Sequence, residues 1–154
     1  SSHFVISAKT GGSGSKSANS IIELGIPAGM QLAVETTNRS ITIDSATLVS
    51  ASLTTTDGNI SVTNASGDYD LITTNSEVIV QSVDANVNIS TTNAHVWFDG
   101  VIDAGSNSIS TTNGDVAVRL RNGSDVTVSG ATHNGAVTID DRSDGVVIAL
   151  VAVA

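Results

Sequence analysis

Six near copies of one short phrase constrain this chain more than any other feature. They read VETTNRSITI at 34–43, LTTTDGNISV at 53–62, LITTNSEVIV at 71–80, ISTTNAHVWF at 89–98, ISTTNGDVAV at 109–118 and GATHNGAVTI at 130–139. Aligned on the turn residue, the anchors are Asn38, Asp57, Asn75, Asn93, Asn113 and Asn134, spaced 19, 18, 18, 20 and 21 apart. Three residues past each anchor runs an apolar column, Ile41, Ile60, Val78, Val96, Val116 and Val137. Two further on runs a second, Ile43, Val62, Val80, Phe98, Val118 and Ile139. Four before the anchor stand Val34, Leu53, Leu71, Ile89 and Ile109, and the column fails only at Gly130. Two before it a threonine recurs in all six copies, Thr36, Thr55, Thr73, Thr91, Thr111 and Thr132.

Alternation at period two on both sides of a turn describes two short strands with one face buried, and a fixed repeat says that each pair stacks on the last. The expected fold is all-β: a single-domain β-solenoid of about six to seven rungs, two short strands per rung, with parallel in-register stacking. Rungs about 4.8 Å apart give a rod roughly 30 Å long. A Thr-Asn corner brings the same polar groups to every level, so hydroxyls and amides can bond along the stack instead of standing unsatisfied. The repeated phrase is therefore read as scaffold. Its organisation divides the chain into an N-terminal strand arm with a Gly/Ser linker at 1–20, the solenoid at 21–145 and an apolar C-terminal strand at 146–154.

Here a resemblance becomes visible. IPAGMQLAVETTNRSITI at 26–43, followed by TTDGNISV and TTNGDVAV, resembles the adhesin-type β-solenoid domains found widely in bacteria and archaea. The likeness spans about residues 20–140 and departs at TTNRS and TTNSE, where Arg39 and Ser76 replace the corner glycine. It implies a solenoid fold and carries over no catalytic residue.

Charge narrows the partners. The net charge is −9, and all of it lies past Thr56, since residues 57–154 hold twelve acidic and three basic side chains. An acidic body argues against nucleic acid. The chain has no cysteine, hence no disulfide or thiolate metal site. The apolar run VVIALVAVA at 146–154 is too short for a membrane-spanning helix. The Ser-Ser opening is read as that of a secreted chain after signal cleavage or of a trimmed one, and an extracellular or cell-surface location is expected.

Outward positions supply the candidate sites. Two past the anchor the column reads Ser40, Asn59, Glu77, His95, Asp115 and Ala136, setting His95 between two carboxylates. A His with two carboxylates lacks the further ligands or nucleophile that chemistry needs, so a solvated charged face is the reading preferred. Ile79 and Trp97 share the next outward column and mark a contact face together with His95. Trp97 is also a candidate sugar platform, although packing by a neighbouring subunit or loop is favoured. The outward threonines Thr37, Thr56, Thr74, Thr92 and Thr112 form a hydroxyl array too irregular beside its neighbours for an ice-binding lattice. Asp68 and Asp70, and Asp140, Asp141 and Asp144, are weak Ca²⁺ candidates, neither set on a recognised loop spacing; no cofactor and no other metal is expected. Asn-x-Ser sequons offer Asn59, Asn64, Asn88 and Asn122 as glycosylation positions, while Asn38 is a corner residue. Arg39, Arg119, Arg121 and Arg142 are read as scattered, and with no Ser-His-Asp spacing an enzyme is not expected.

The ends carry the functional expectation. Open solenoid ends expose strand edges, and natural proteins cap or cover them. A seventh corner would fall near residue 153, so 146–154 forms the first half of a seventh rung. The arm SSHFVISAKT, with Phe4 and Ile6 on one face, is joined to the first rung by GGSGSKSANS. The expected function is a non-enzymatic extracellular subunit of a filament or sheath, joined end to end by strand addition between copies, with Phe4, Val5 and Ile6 meeting Val146, Val147, Ile148, Leu150 and Val151 of another copy. The alternative is a monomeric surface adhesin that holds a glycan or protein on a solenoid side face.

Overall fold

The computed structural model describes residues 3–7, 25–102, 105–145 and 147–153. Among them every regular element is a strand. They are β1 His3–Ser7, β2 Met30–Glu35, β3 Ile41–Asp44, β4 Thr47–Thr54, β5 Ile60–Thr63, β6 Ser66–Ile72, β7 Val78–Ser90, β8 Val96–Val101, β9 Ser106–Ser110, β10 Val116–Leu120, β11 Val126–Thr132, β12 Val137–Asp141 and β13 Val147–Val153. Strands that precede the Thr-Asn corner stack in one ladder, β1, β2, β4, β6, the second half of β7, β9, β11 and β13. Strands that follow it stack in another, β3, β5, the first half of β7, β8, β10 and β12. Every pairing in both is parallel, as a coil that advances one rung per turn requires.

Register delivers the expected columns. Ile60, Val78, Val96 and Val116 are at most 1% exposed, and Val62, Val80, Phe98 and Val118 at most 2%. At the last rung Val137 and Ile139 are only partly buried, because β12 pairs with β10 and, among the described residues, with no further strand. The one gap in the apolar columns also has a steric cause. A Cβ on Gly130 would stand 2.8 Å from Val137 Cγ1, so the missing side chain is the space that Val137 fills.

Two features of the coil lie outside the repeat as read from sequence. A second corner, seven residues past the first, is made by Ser45, Asn64 and Ser82 in the left-handed region at φ 58°, 51° and 54°. Asn reaches this region with the help of its short polar side chain, and Ser, small and unbranched, avoids the penalty that makes β-branched or bulky residues outliers there. At Ser82 the bend occurs inside β7, which passes from one ladder to the other without a break. The arm also has a partner in its own chain. β1 lies along β2, with Phe4 opposite Leu32 and Ile6 opposite Val34, so it covers the first edge of its own rod. β13 pairs with β11, Val147 opposite Val126 and Val151 opposite Gly130; Val146 lies outside the described residues.

The buried and outward columns differ sharply in what they tolerate. Val78→Asp puts an unpaired carboxylate where the native side chain is 0% exposed and is expected to cost about 3 kcal/mol or more. Ser40→Asp, on an exposed column, is expected to change stability by no more than about 0.5 kcal/mol. Thermal melts of the two variants check the facing assignment, and similar losses would overturn it.

Candidate functional site

The corner is the most regular polar arrangement in the molecule. Each buried threonine donates its hydroxyl to the carbonyl that follows the anchor one rung below. Thr55 Oγ1 reaches Arg39 O at 3.2 Å, Thr73 Gly58 O at 3.4 Å, Thr91 Ser76 O at 3.4 Å, Thr111 Ala94 O at 2.9 Å and Thr132 Gly114 O at 2.8 Å. Beside it the anchor side chains form a continuous amide ladder. Asn134 Nδ2 donates to Asn113 Oδ1 at 2.7 Å, Asn113 to Asn93 at 2.8 Å, Asn93 to Asn75 at 2.7 Å and Asn75 to Asp57 Oδ1 at 2.6 Å. From the other side Asn38, with its amide nitrogen turned to the carboxylate, donates to Asp57 Oδ2 at 3.1 Å. Asp57, an anchor with no donor of its own, is thus the point where the ladder reverses direction. These bonds make the corner a support rather than a site. The outward threonines Thr37, Thr56, Thr74, Thr92 and Thr112 stand exposed alongside it.

The column containing His95 is exposed along its whole length, as its alternation implies. His95 Nδ1 accepts the Asp115 backbone N–H at 2.9 Å. That nitrogen therefore carries no proton in this arrangement, and its 3.5 Å approach to Asp115 Oδ2 is a meeting of two acceptors rather than an ion pair. Asp115 Oδ1 in turn accepts the Ala136 N–H at 2.9 Å. His95 and Asp115 thus act on neighbouring backbone.

Three of the four arginines converge, contrary to their scattered appearance in sequence. Asp99 is buried on β8, and Arg121 holds it through Nε at 2.6 Å and Nη2 at 3.0 Å. Arg119 lies between carboxylates, with Nη1 3.8 Å from Asp99 and Nε 3.4 Å from Asp140, and Arg142 Nε bonds Asp140 at 2.9 Å. The reason is register: Asp99, Arg119 and Asp140 occupy equivalent positions on β8, β10 and β12. Trp97 belongs to the same patch. Its ring lies under the Arg119 guanidinium, 5.4 Å from centroid to Cζ, within cation–π range. Trp97 and Ile79 are both half-buried and adjacent on paired strands. The ring is therefore covered on one face by its own chain and is not the bare platform that its outward position suggested. The Arg121 hydrogen bond, ahead of the opposing effect of burial, holds the Asp99 carboxyl below the usual carboxylate range.

On the opposite ladder an open groove of about 530 Å³ runs across the outward side chains of β2, β4, β6 and β7. Gln31, Ser50, Asp68, Asp70, Asn86 and Asn88 are its principal polar groups, and among the described residues neither Lys nor Arg lines it. Asp68 and Asp70 stand here on strand β6 rather than on a loop, with Tyr69 buried between them. Burial pushes the Tyr69 hydroxyl up to about 12. Asn86 Nδ2 donates to Asp68 Oδ1 at 3.0 Å. The second acidic set is occupied otherwise: Asp140 by Arg119 and Arg142, Asp141 by Ser143 at 2.6 Å, and Asp144 by the Gly123 N–H at 3.1 Å. Among the described residues no group of three His, Asp or Glu side chains is arranged to hold a metal ion. The sequon asparagines Asn59, Asn64, Asn88 and Asn122 are all exposed. No described helix is long and apolar enough to cross a membrane.

The family model described as Toastrack DUF4097 matches residues 7–146, a span that takes in every rung from β2 to β12. No curated protein and no solved structure gives a match.

The charged patch generates a pH prediction. Because the folded pKa of Asp99 is depressed, its pairing stabilises the fold fully above about pH 4, the range of a free carboxyl, and that contribution is lost as pH falls through the lower folded value. Arg121→Ala is expected to lower stability by about 1 kcal/mol at neutral pH, the arginine being half-exposed. Melting curves of wild type and variant should converge on acidification. A gap that persists in strong acid would show that Arg121 acts by packing rather than by charge.

Proposed function

We propose that this chain, which belongs to the toastrack DUF4097 family, is a non-enzymatic structural module of an extracellular filament or sheath, joined end to end by β-strand addition. The observation that carries this reading is the state of the longer ladder at its two ends. Among the described residues β1 pairs only with β2, and β13 only with β11. Each outer edge therefore offers backbone donors and acceptors to a further strand, and both strands run in the same direction. A β1 laid on the β13 of another copy continues the parallel ladder without reversing it, a heterologous contact that propagates instead of closing. The linking strands are short and apolar, HFVIS and VIALVAV, as strand addition favours. The acidic body disfavours lateral clumping between rods.

Electron microscopy of the purified chain tests this reading. Rods several times longer than one molecule are expected. Deleting residues 1–10 is expected to abolish them and to lower the melting temperature, since it uncovers Leu32 and Val34 on β2. Phe4→Asp combined with Ile6→Asp, which keeps the length of the arm, should likewise leave single short particles. Long ordered rods from either variant would exclude a joint made by the arm.

One observation favours a second reading, an adhesin with a side-face site. Among the described residues, the groove across β2, β4, β6 and β7 combines hydroxyl, amide and carboxylate groups without a cation. That lining suits a neutral glycan, whose hydroxyls both donate and accept, and repels anionic polymers. Calorimetric titration with neutral oligosaccharides separates the two readings. Saturable heat that Asp70→Ala removes from a chain that stays monomeric would favour the adhesin.

A further inference from the structure

Three Asn-Gly steps occur in the chain, Asn113–Gly114, Asn122–Gly123 and Asn134–Gly135. Glycine has no Cβ to shield its amide nitrogen, which can therefore attack the preceding asparagine side chain at Cγ. The N–Cγ bond forms, the Cγ–Nδ2 bond breaks and ammonia leaves with the proton that the backbone nitrogen gives up. Water then opens the cyclic imide at one carbonyl or the other, giving aspartate or its β-linked isomer. All three asparagines are exposed, so access to water does not distinguish them.

Hydrogen bonding does. We infer that the corner ladder shields its asparagines from deamidation and that Asn122 is the site where this chain deamidates. Asn113 is held on both sides of its amide, donating to Asn93 Oδ1 at 2.8 Å and accepting from Asn134 Nδ2 at 2.7 Å. Rotating Cγ towards Gly114 N breaks both bonds. Asn134 donates to Asn113 but accepts nothing among the described residues, so one bond restrains it. Asn122 lies off the ladder, in the turn that joins β10 to β11 and closes through Ser124 N to Arg121 O at 3.2 Å. No described group bonds its side chain. Gly123, at φ 98°, takes the left-handed turn conformation, and its N–H donates to Asp144 Oδ1 at 3.1 Å, a carboxylate placed to receive the proton as the ring closes. The reaction needs only water, and its rates should rank Asn122 first, Asn134 second and Asn113 last.

The ladder also explains why conversion inside it would be disruptive. A carboxylate at position 113 has no hydrogen to give Asn93 Oδ1, and two acceptors would then face each other. Asp57 is tolerated because both of its neighbours donate to it.

Peptide mapping by mass spectrometry of the full chain, incubated in mildly alkaline buffer, reads each site separately. Asn122 is expected to convert at least about ten-fold faster than Asn113, the factor that roughly 1.4 kcal/mol of broken hydrogen bonding imposes on a rate. In denaturant the ladder is gone and the two rates should come within about two-fold of each other, the spread that neighbouring residues leave. Asn93→Ala, which removes the acceptor beneath Asn113, should speed Asn113 while leaving Asn122 unchanged. Equal rates at Asn113 and Asn122 in the native chain would overturn the inference. So would a ratio that survives denaturation, because local sequence rather than the ladder would then set it.

Discussion

Parallel in-register stacking is the constraint on which everything else in this molecule rests. Backbone bonds between rungs fix the spacing near 4.8 Å, and equivalent residues are thereby forced into columns with a common environment. An apolar column becomes core without any single residue being indispensable, so Ile60, Val78, Val96 and Val116 do one job at four levels. A polar column inside the coil is harder to satisfy, because its neighbours in the same rung are already paired. It has to bond along the rod axis. The corner threonines do so through the carbonyls below them, and this explains why threonine, carrying both a methyl and a hydroxyl, occupies that column in every copy.

The same constraint decided how much was legible from sequence. The two apolar columns, the buried threonines and the outward column through His95 all follow from period two on each side of an anchor, and the structure places them accordingly. The second corner was not read because only three rungs make it in one way, with Ser45, Asn64 and Ser82; the later rungs replace it with longer connections. Asn107 and Ser124 were missed for a different reason. Each is a polar residue buried in an otherwise apolar level, where Asn107 Oδ1 takes the Val87 N–H at 2.6 Å and Ser124 Oγ the Ile102 N–H at 3.2 Å. Such solitary groups leave no periodic trace. The arginine cluster is invisible to spacing along the chain. Asp99 and Arg121 are 22 residues apart, which in a coil of about 20 residues per turn makes them neighbours.

The side faces differ in chemistry although they share one architecture. One carries Trp97 beneath Arg119 and a set of mutually neutralising charges; the other carries short hydroxyl, amide and carboxylate groups around Asp68 and Asp70. Short side chains fixed by register lose little entropy when something binds them. A solenoid can in this way present a preorganised surface without a closed pocket.

Asp57 has a consequence for the direction of the rod. The backbone ladders have a head and a tail, since every strand in them runs the same way. The amide ladder does not. Below Asp57 the donors point up the rod and above it they point down, so the first and last members, Asn38 and Asn134, both turn a carbonyl oxygen outward. Read from either end, the ladder looks alike. A second ladder of the same kind brought against it would set oxygen against oxygen, so the corner cannot propagate from one rod into the next as the backbone can. A single carboxylate thus orients all six described members of the amide column inward, and a junction between two such rods would carry a seam at the corner while the strands beside it run on.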